Sequence, residues 1–223
     1  MKISDVRKDF DSFSLHIENL SLTKNKIHGI IGSNGCGKTT AMKIMAGLTP
    51  ADSGEIDYGG LSRRDMTMVF KKPYLMHDSV MANLLYPLKI RRIKPDMQLI
   101  EHYLEITNLV DIRNQYAPSL SSGQQQKLSL IRALVFSPKL IFLDEALSNM
   151  DIESVAFFEN YILDYQKNNP TTWVIISHHL SNIRHLCEYV FFMNNGKVCT
   201  SGATEQLLTD PKDEKLKQYL QYA

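Results

Sequence analysis

Gly32-Ser33-Asn34-Gly35-Cys36-Gly37-Lys38-Thr39-Thr40 stands between an apolar run, Ile27 to Ile31, and the segment Ala41-Met42-Lys43-Ile44-Met45-Ala46. It fits G-x-x-x-x-G-K-[ST] in the strand–loop–helix setting that gives this pattern its meaning. Glycines let the backbone fold tightly around a phosphate chain, because side chains would keep amide N–H groups from the oxygens. A helix beginning near Lys38 aims its positive end at the same anion. Lys38 is placed to neutralise β- and γ-phosphate charge, and the Thr39 hydroxyl to ligate Mg²⁺. A glycine-rich turn with a chance lysine would lack the flanking strand and helix. The expectation is a nucleoside triphosphate site made by Gly32 through Thr40.

The 223 residues suffice for one α/β domain with an inserted subdomain. Hydrophobic content of 43% and charged content of 22% are ordinary for a globular chain. Lys+Arg 25 against Asp+Glu 24 leaves a net charge of +1, which gives no pull toward nucleic acid, and none is expected as a partner. Cys36, Cys187 and Cys199 are odd in number and lack metal spacing, as in a reduced cytosolic compartment. Cys36 reads as a tolerated small residue in the loop rather than a nucleophile. The start, Met1 to Lys8, lacks the apolar core of a signal peptide. No apolar run approaches the roughly 20 residues of a membrane-spanning helix. Work at a membrane would therefore require docking onto another chain that spans it.

Short apolar runs at Ile27–Ile31, Met66–Phe70, Leu140–Leu143 and Val174–Ile176 end in polar residues, as buried parallel strands do. Between Pro73 and Gln126 the pattern turns helical, punctuated by Pro87, Pro95 and Pro118. Ile100, Leu104, Leu109 and Val110 form one apolar helical stripe there, the mark of a small inserted helical subdomain. Val190-Phe191-Phe192-Met193, Asn194-Asn195-Gly196 and Lys197-Val198 read as a β-hairpin turning at Asn195-Gly196. A last helix, Glu214 to Tyr222, reads as a surface cap uninformative about function. The chain ends soon after it, so no added regulatory domain is expected.

A second set of residues points at the nucleotide. Leu140-Ile141-Phe142-Leu143-Asp144-Glu145 is an apolar strand ending in two carboxylates, and ligands of doubly wound sheets sit beyond such strand ends. Asp144 is placed to hold Mg²⁺, and Glu145 to polarise an attacking water. Val174-Ile175-Ile176-Ser177-His178-His179 is another strand ending in histidine. The His178 imidazole, favoured over His179, can donate a hydrogen bond to a γ-phosphate oxygen. Leu120-Ser121-Ser122-Gly123-Gln124-Gln125-Gln126-Lys127 opens a helix with Leu128, Ile131, Leu134 and Val135 on its apolar face, closed by Pro138. Ser121 or Ser122 can cap it, and the result is a second anion-ready helix end.

With these motifs in order, the sequence resembles the nucleotide-binding subunits of ABC transporters over essentially its whole length. Leu120 to Gln124 is similar to the signature LSGGQ, with serine replacing its first glycine. Leu143-Asp144-Glu145 matches the end of the Walker B strand, Ser148-Asn149-Met150-Asp151 takes the place of the D-loop, and His178 matches the switch histidine. Phe10 lies where the family sets an aromatic ring against adenine, with Phe13 as a substitute. The resemblance implies an α/β P-loop NTPase fold: a RecA-like, mostly parallel sheet with an N-terminal antiparallel β part and an inserted helical subdomain. One domain over residues 1–223 is expected, with its core at 1–73 and 133–223 and its helical part at 74–132.

The resemblance also implies a head-to-tail pair, formed with a second copy or a paralogous subunit. ATP would be held between one phosphate loop and the partner's signature helix. Ser121, Gly123 and Gln124 would then reach the other protomer's nucleotide, Glu145 would act as base, His178 as γ-phosphate sensor and Asp151 as communicator across the pair. Hydrolysis removes the charged bridge and opens the pair. The expected protein is an ATPase subunit that uses ATP and Mg²⁺ to power solute import, peripheral at the cytoplasmic membrane face through a separate permease.

One departure stands out. The family carries glutamine after a strand reading like Val-Phe, whereas Lys71 follows Val69-Phe70 here. An ammonium donates only and cannot ligate a cation. Lys71 either pairs with the γ-phosphate or swings away and leaves the metal one protein ligand short; alternatively, water fills the gap. The stretch Ser79 to Lys89, with Arg63 to Met66, is most similar to tungstate/molybdate-type oxyanion importers and shares features with methionine importers. Met76, Met81, Leu85 and Tyr86 either line a groove for a permease's coupling helix or belong to the core. The competing readings are an exporter subunit, and a nucleotide-gated module that hydrolyses poorly. A non-transport relative acting on translation or DNA would carry tandem cassettes, insertions or basic arms, which the sequence lacks.

Overall fold

The computed structural model describes residues 1–148 and 150–222. Along the chain run β1 (Lys2–Phe10), β2 (Phe13–Ser21), β3 (Ile27–Ile31), α1 (Lys38–Met45), β4 (Ser53–Asp57) and β5 (Met66–Val69). Next come α2 (Val80–Arg91), α3 (Met97–Ile106), α4 (Ser122–Leu134), β6 (Leu140–Asp144), α5 (Ile152–Asn168) and β7 (Thr172–Ile176). The remainder is α6 (Leu180–Leu186), β8 (Tyr189–Asn194), β9 (Lys197–Ala203), α7 (Thr204–Thr209) and α8 (Glu214–Tyr222). The strands make one sheet in the order β4-β1-β2-β9-β8-β3-β7-β6-β5. From β8 to β5 neighbours run parallel, and β1, β2 and β4 form the antiparallel part.

Burial explains the layering. Every residue of β3, β6 and β7 is buried, as strands covered on both faces must be. Alternation along β6 sends Ile141 and Leu143 into one apolar cluster, with Leu84, Tyr103, Leu128 and Trp173. Leu140 and Phe142 face the other, with Met42, Ile17 and Val174. The helices inserted between β5 and β6 therefore share a core with the sheet.

Three expectations need correction. Pro87 lies inside α2 rather than ending it. The helix continues because its start is capped by Ser79 and its Leu84 and Leu88 are buried, which outweighs one lost backbone bond. Leu109 and Val110 fall outside α3. The helix stops at Ile106, Asn108 takes a left-handed φ of 56°, and the Leu109 N–H bonds to the Leu104 carbonyl, closing a Schellman cap. Leu109 is still fully buried, so the stripe continues through the cap. Thirdly, α8 does more than cover surface: Tyr219 packs on Phe192 with ring centroids 5.5 Å apart, beside the phosphate loop.

The hairpin turn at Asn195-Gly196 has positive φ at both residues (45° and 74°). Gly196 ties three parts together: its N–H bonds to the Cys36 carbonyl at 2.9 Å and its carbonyl accepts from His16 N–H at 2.8 Å. A Cβ there would meet the Ser14 carbonyl oxygen at 2.0 Å, so only glycine fits. The turn thus fastens the phosphate loop to the antiparallel strands.

Candidate active site

The phosphate loop leaves β3 at its carboxyl end and enters α1 at Gly37, which has φ 104° and no side-chain cap over the first amides of the helix. Those amides remain available to an anion. A Cβ on Gly37 would lie 2.6 Å from the Phe13 ring, so that ring braces the loop from β2. Phe13 is thereby engaged, while Phe10 is about half exposed (46%) with the Lys8 ammonium 5.9 Å from its ring centre. Phe10 is the more exposed of the two rings, their centroids 6.2 Å apart.

Lys38 is buried, and its ammonium donates to the Gly32 and Ser33 carbonyls at 2.7 and 2.9 Å. An incoming phosphate chain would compete for those same protons. Ser33, Asn34 and Gly35 form an exposed outer wall, and a Cβ on Gly35 would meet nothing within 4 Å. The loop therefore fits a triphosphate. Thr40 is the third residue of the helix, half-buried. Cys36 is buried and its thiol is pushed up by that burial, which leaves it inert as a nucleophile.

The carboxylate strand arrives alongside. The Thr39 hydroxyl donates to Asp144 Oδ1 at 2.9 Å. Burial pushes the Asp144 carboxyl up, and the Thr39 hydroxyl partly counters it. Two oxygen groups side by side suit a hard cation such as Mg²⁺. Among the described residues, no cluster of three or more His, Cys, Asp or Glu offers a closed metal cage.

Glu145 shows what the sequence could not. Its φ is +51°, in the left-handed region that a side chain rarely adopts. Its N–H bonds to the Ile176 carbonyl at 3.0 Å, and Ser148 N–H and hydroxyl both donate to its carbonyl. The reversal places its carboxylate, only 11% exposed, between two donors. His178 Nε2 contacts Oε1, and Lys71 Nζ lies 2.5 Å from Oε2. Lys71 thus takes a partner that neither sequence-level reading named. His178 is the histidine at the site; His179 instead starts α6 and bonds to Ser177. A cavity of about 620 Å³ joins His178 to Gly32, Ser33, Asn34 and the α8 residues Lys215 and Tyr219.

The signature segment is built as a capped helix end. Ser121, not Ser122, caps α4: its hydroxyl accepts from Gln124 N–H, and Gln124 Oε1 accepts from Ser121 N–H. Ser121 is exposed, while Gly123 and Gln124 are half-exposed; among the described residues no hydrogen bond joins the three to the phosphate loop of the same chain. Asp151 caps α5, both its oxygens bonded to Ser154, which holds its carboxyl low. Asn149, read as part of the D-loop, lies outside the described residues.

Beside β5, Phe70, Tyr74, Met76, Tyr86, Ile90 and Phe136 line a groove of about 360 Å³. Met81 and Leu85 pack instead against the core, which divides the four residues proposed for the groove. No helix among the described residues is long and apolar enough to cross a membrane.

A family model described as ABC transporter matches residues 15–148. The chain is 34% identical over 203 residues to a tungstate uptake system ATP-binding protein of Peptoclostridium acidaminophilum, covering 88% of this chain and 95% of the relative. It is 30% identical over 218 residues to a methionine import ATP-binding protein of Bacillus subtilis (91% of this chain), and 28% identical over 224 to a spermidine/putrescine import ATP-binding protein of Clostridium novyi (96%). It spans about two thirds of those last two, 64% and 65%. A solved ATP-binding subunit of an ABC transporter superposes with TM-score 0.85 at 18% identity, covering 99% of this chain and 98% of that one. A dimeric, post-hydrolysis ATP-binding cassette bound to ADP and phosphate gives 0.79 at 22% identity, with 91% and 98% covered. The family model and the relatives that match this chain, with a phosphate loop and a carboxylate strand set in this sheet, make the chain an ATPase of the ABC transporter family.

Proposed function

We propose that this ATPase powers import of a small oxyanion, of the tungstate or molybdate class, through a separate membrane permease. Similarity to a tungstate uptake subunit over 88% of this chain and 95% of the relative supports the solute class. The Tyr74–Tyr86–Ile90 groove, apolar and open at the surface, supports docking of a permease segment at the cytoplasmic membrane face. Methionine at such a surface adapts to a partner's shape.

The observation that carries the catalytic reading is the Thr39–Asp144 contact beside Glu145 and His178. Lys38 leaves its carbonyls for the β- and γ-phosphates, and the bared amides of α1 hold the rest of the chain. Thr39 and Asp144 would hold Mg²⁺, which supplies charge neutralisation between the two phosphates. Glu145 accepts a proton from water as the water oxygen bonds to the γ-phosphorus; the bridging P–O bond breaks and ADP keeps its electron pair. His178 donates to a γ-phosphate oxygen. Phe10 stacks on the base. Ser121, Gly123 and Gln124, which share no hydrogen bond with their own phosphate loop among the described residues, would meet the nucleotide of a partner protomer, with Asp151 at that junction.

Co-purified ATPase and permease in lipid vesicles test this reading. ATP turnover stimulated by tungstate or molybdate, and not by methionine or spermidine, is expected. Stimulation by methionine or spermidine alone would overturn the oxyanion assignment.

A further inference from the structure

We propose that Lys71 is a positioning residue that holds Glu145 in a resting ion pair, and that this pair must open before Glu145 can accept a proton from water. The inference rests on the reading of Glu145 as the base. Both carboxylate oxygens are occupied: Oε1 by His178 Nε2 and Oε2 by Lys71 Nζ at 2.5 Å. With His178 Nε2 against one oxygen and Lys71 Nζ against the other, the carboxylate has fewer lone pairs facing a water. Glutamine at position 71 would offer a neutral amide, with no net charge to hold the carboxylate.

The two members of the Lys71–Glu145 pair differ in freedom. Glu145 is fixed by its left-handed backbone and nearly buried. The Lys71 side chain is 56% exposed on a loop, so it is the partner able to leave. That loop begins at Phe70, whose carbonyl accepts from Gln126 of α4, and runs to Tyr74, whose carbonyl accepts from Arg132 of the same helix. Phe70 and Tyr74 both line the surface groove. A segment seated in the groove would press on the loop on either side of Lys71. The ion pair therefore connects the groove to the base through three residues of backbone.

The test has two readouts. In nucleotide-free protein, melting temperatures of the parent, Lys71→Met, Glu145→Gln and the double variant form a cycle. The single losses should fail to add, because each removes the same pair; Lys71→Arg, which keeps the charge, should retain the coupling. Additive losses would overturn the proposal. In steady-state hydrolysis, Lys71→Gln and Lys71→Met should raise kcat about two- to fivefold, the range a half-exposed ion pair supports, with KM nearly unchanged. An unchanged or lower kcat would overturn it too. Glu145→Gln alone decides the underlying reading: hydrolysis at the parent rate would remove Glu145 as base, while the nucleotide-free coupling would still report whether the pair exists.

Discussion

Thr39 illustrates how one hydroxyl serves two states. Its Oγ1 donates to Asp144, a buried carboxylate. With nucleotide bound it would turn to the cation. Thr39→Val keeps the shape and removes the oxygen. ATP turnover should fall about a hundredfold or more, as when one preorganised electrostatic contact is lost, while binding of ATP in EDTA should change much less. Equal losses in both assays would show that Thr39 serves the loop's structure rather than the cation. At this scale Lys38, Thr39, Asp144 and His178 could be singled out from the sequence because each stands next to its strand or loop. The sequence was blind to Glu145's left-handed φ and to Lys71 reaching it, because backbone reversal and contacts between distant segments leave no local pattern.

Among elements, β3 shows what a buried strand can tolerate. His28 sits inside its apolar run, 1% exposed, yet fully bonded: Nε2 accepts from Thr23 N–H at 3.0 Å and Nδ1 donates to the Trp173 carbonyl at 3.2 Å. That pattern is the neutral tautomer, and burial holds its pKa below the usual 6.5. The unfolded chain takes up the proton first as pH falls. This contribution is therefore whole above about pH 6.5 and is lost below it, by at most about 1.4 kcal/mol per pH unit. The urea midpoint should drop between pH 7.5 and 5.5, and His28→Gln should flatten that drop; an identical slope in both would refute the assignment. Strands β3, β5, β6 and β7 were legible as short, mostly apolar runs, whereas β1, β2 and β4 are largely polar and no such run marks them. Helix α5 was not: Ile152 is 88% exposed and Phe157 also faces solvent, while Phe158, Ile162 and Tyr165 are buried, so its apolar residues do not mark one face. The final helix was misread for a related reason. Its own sequence carries no sign that Tyr219 would land beside Gly32.

Across the whole molecule, the inserted helices and the sheet share one apolar cluster. Trp173 stands at its centre, its indole N–H bonded to Gln166 and its ring edge-on to Tyr165. Trp173→Ala should cost about 3–5 kcal/mol, and a probe in α3 should report the same urea transition as a probe in β6. Two separated transitions would make the helical part an independent folding unit. This unity matters for function, because motion of the helical part relative to the phosphate loop then strains a continuous core. Among the described residues no hydrogen bond joins Lys38 to the capped α4 end, and a second protomer supplies the missing wall in the proposed assembly.

The most direct measurement is sedimentation of Glu145→Gln with ATP and Mg²⁺, compared with the same protein in ADP. A stable dimer with ATP trapped in it, absent in ADP and absent when Ser121 is also replaced by arginine, is the predicted result. A monomer at saturating ATP, or hydrolysis by this variant at the parent rate, would contradict the account.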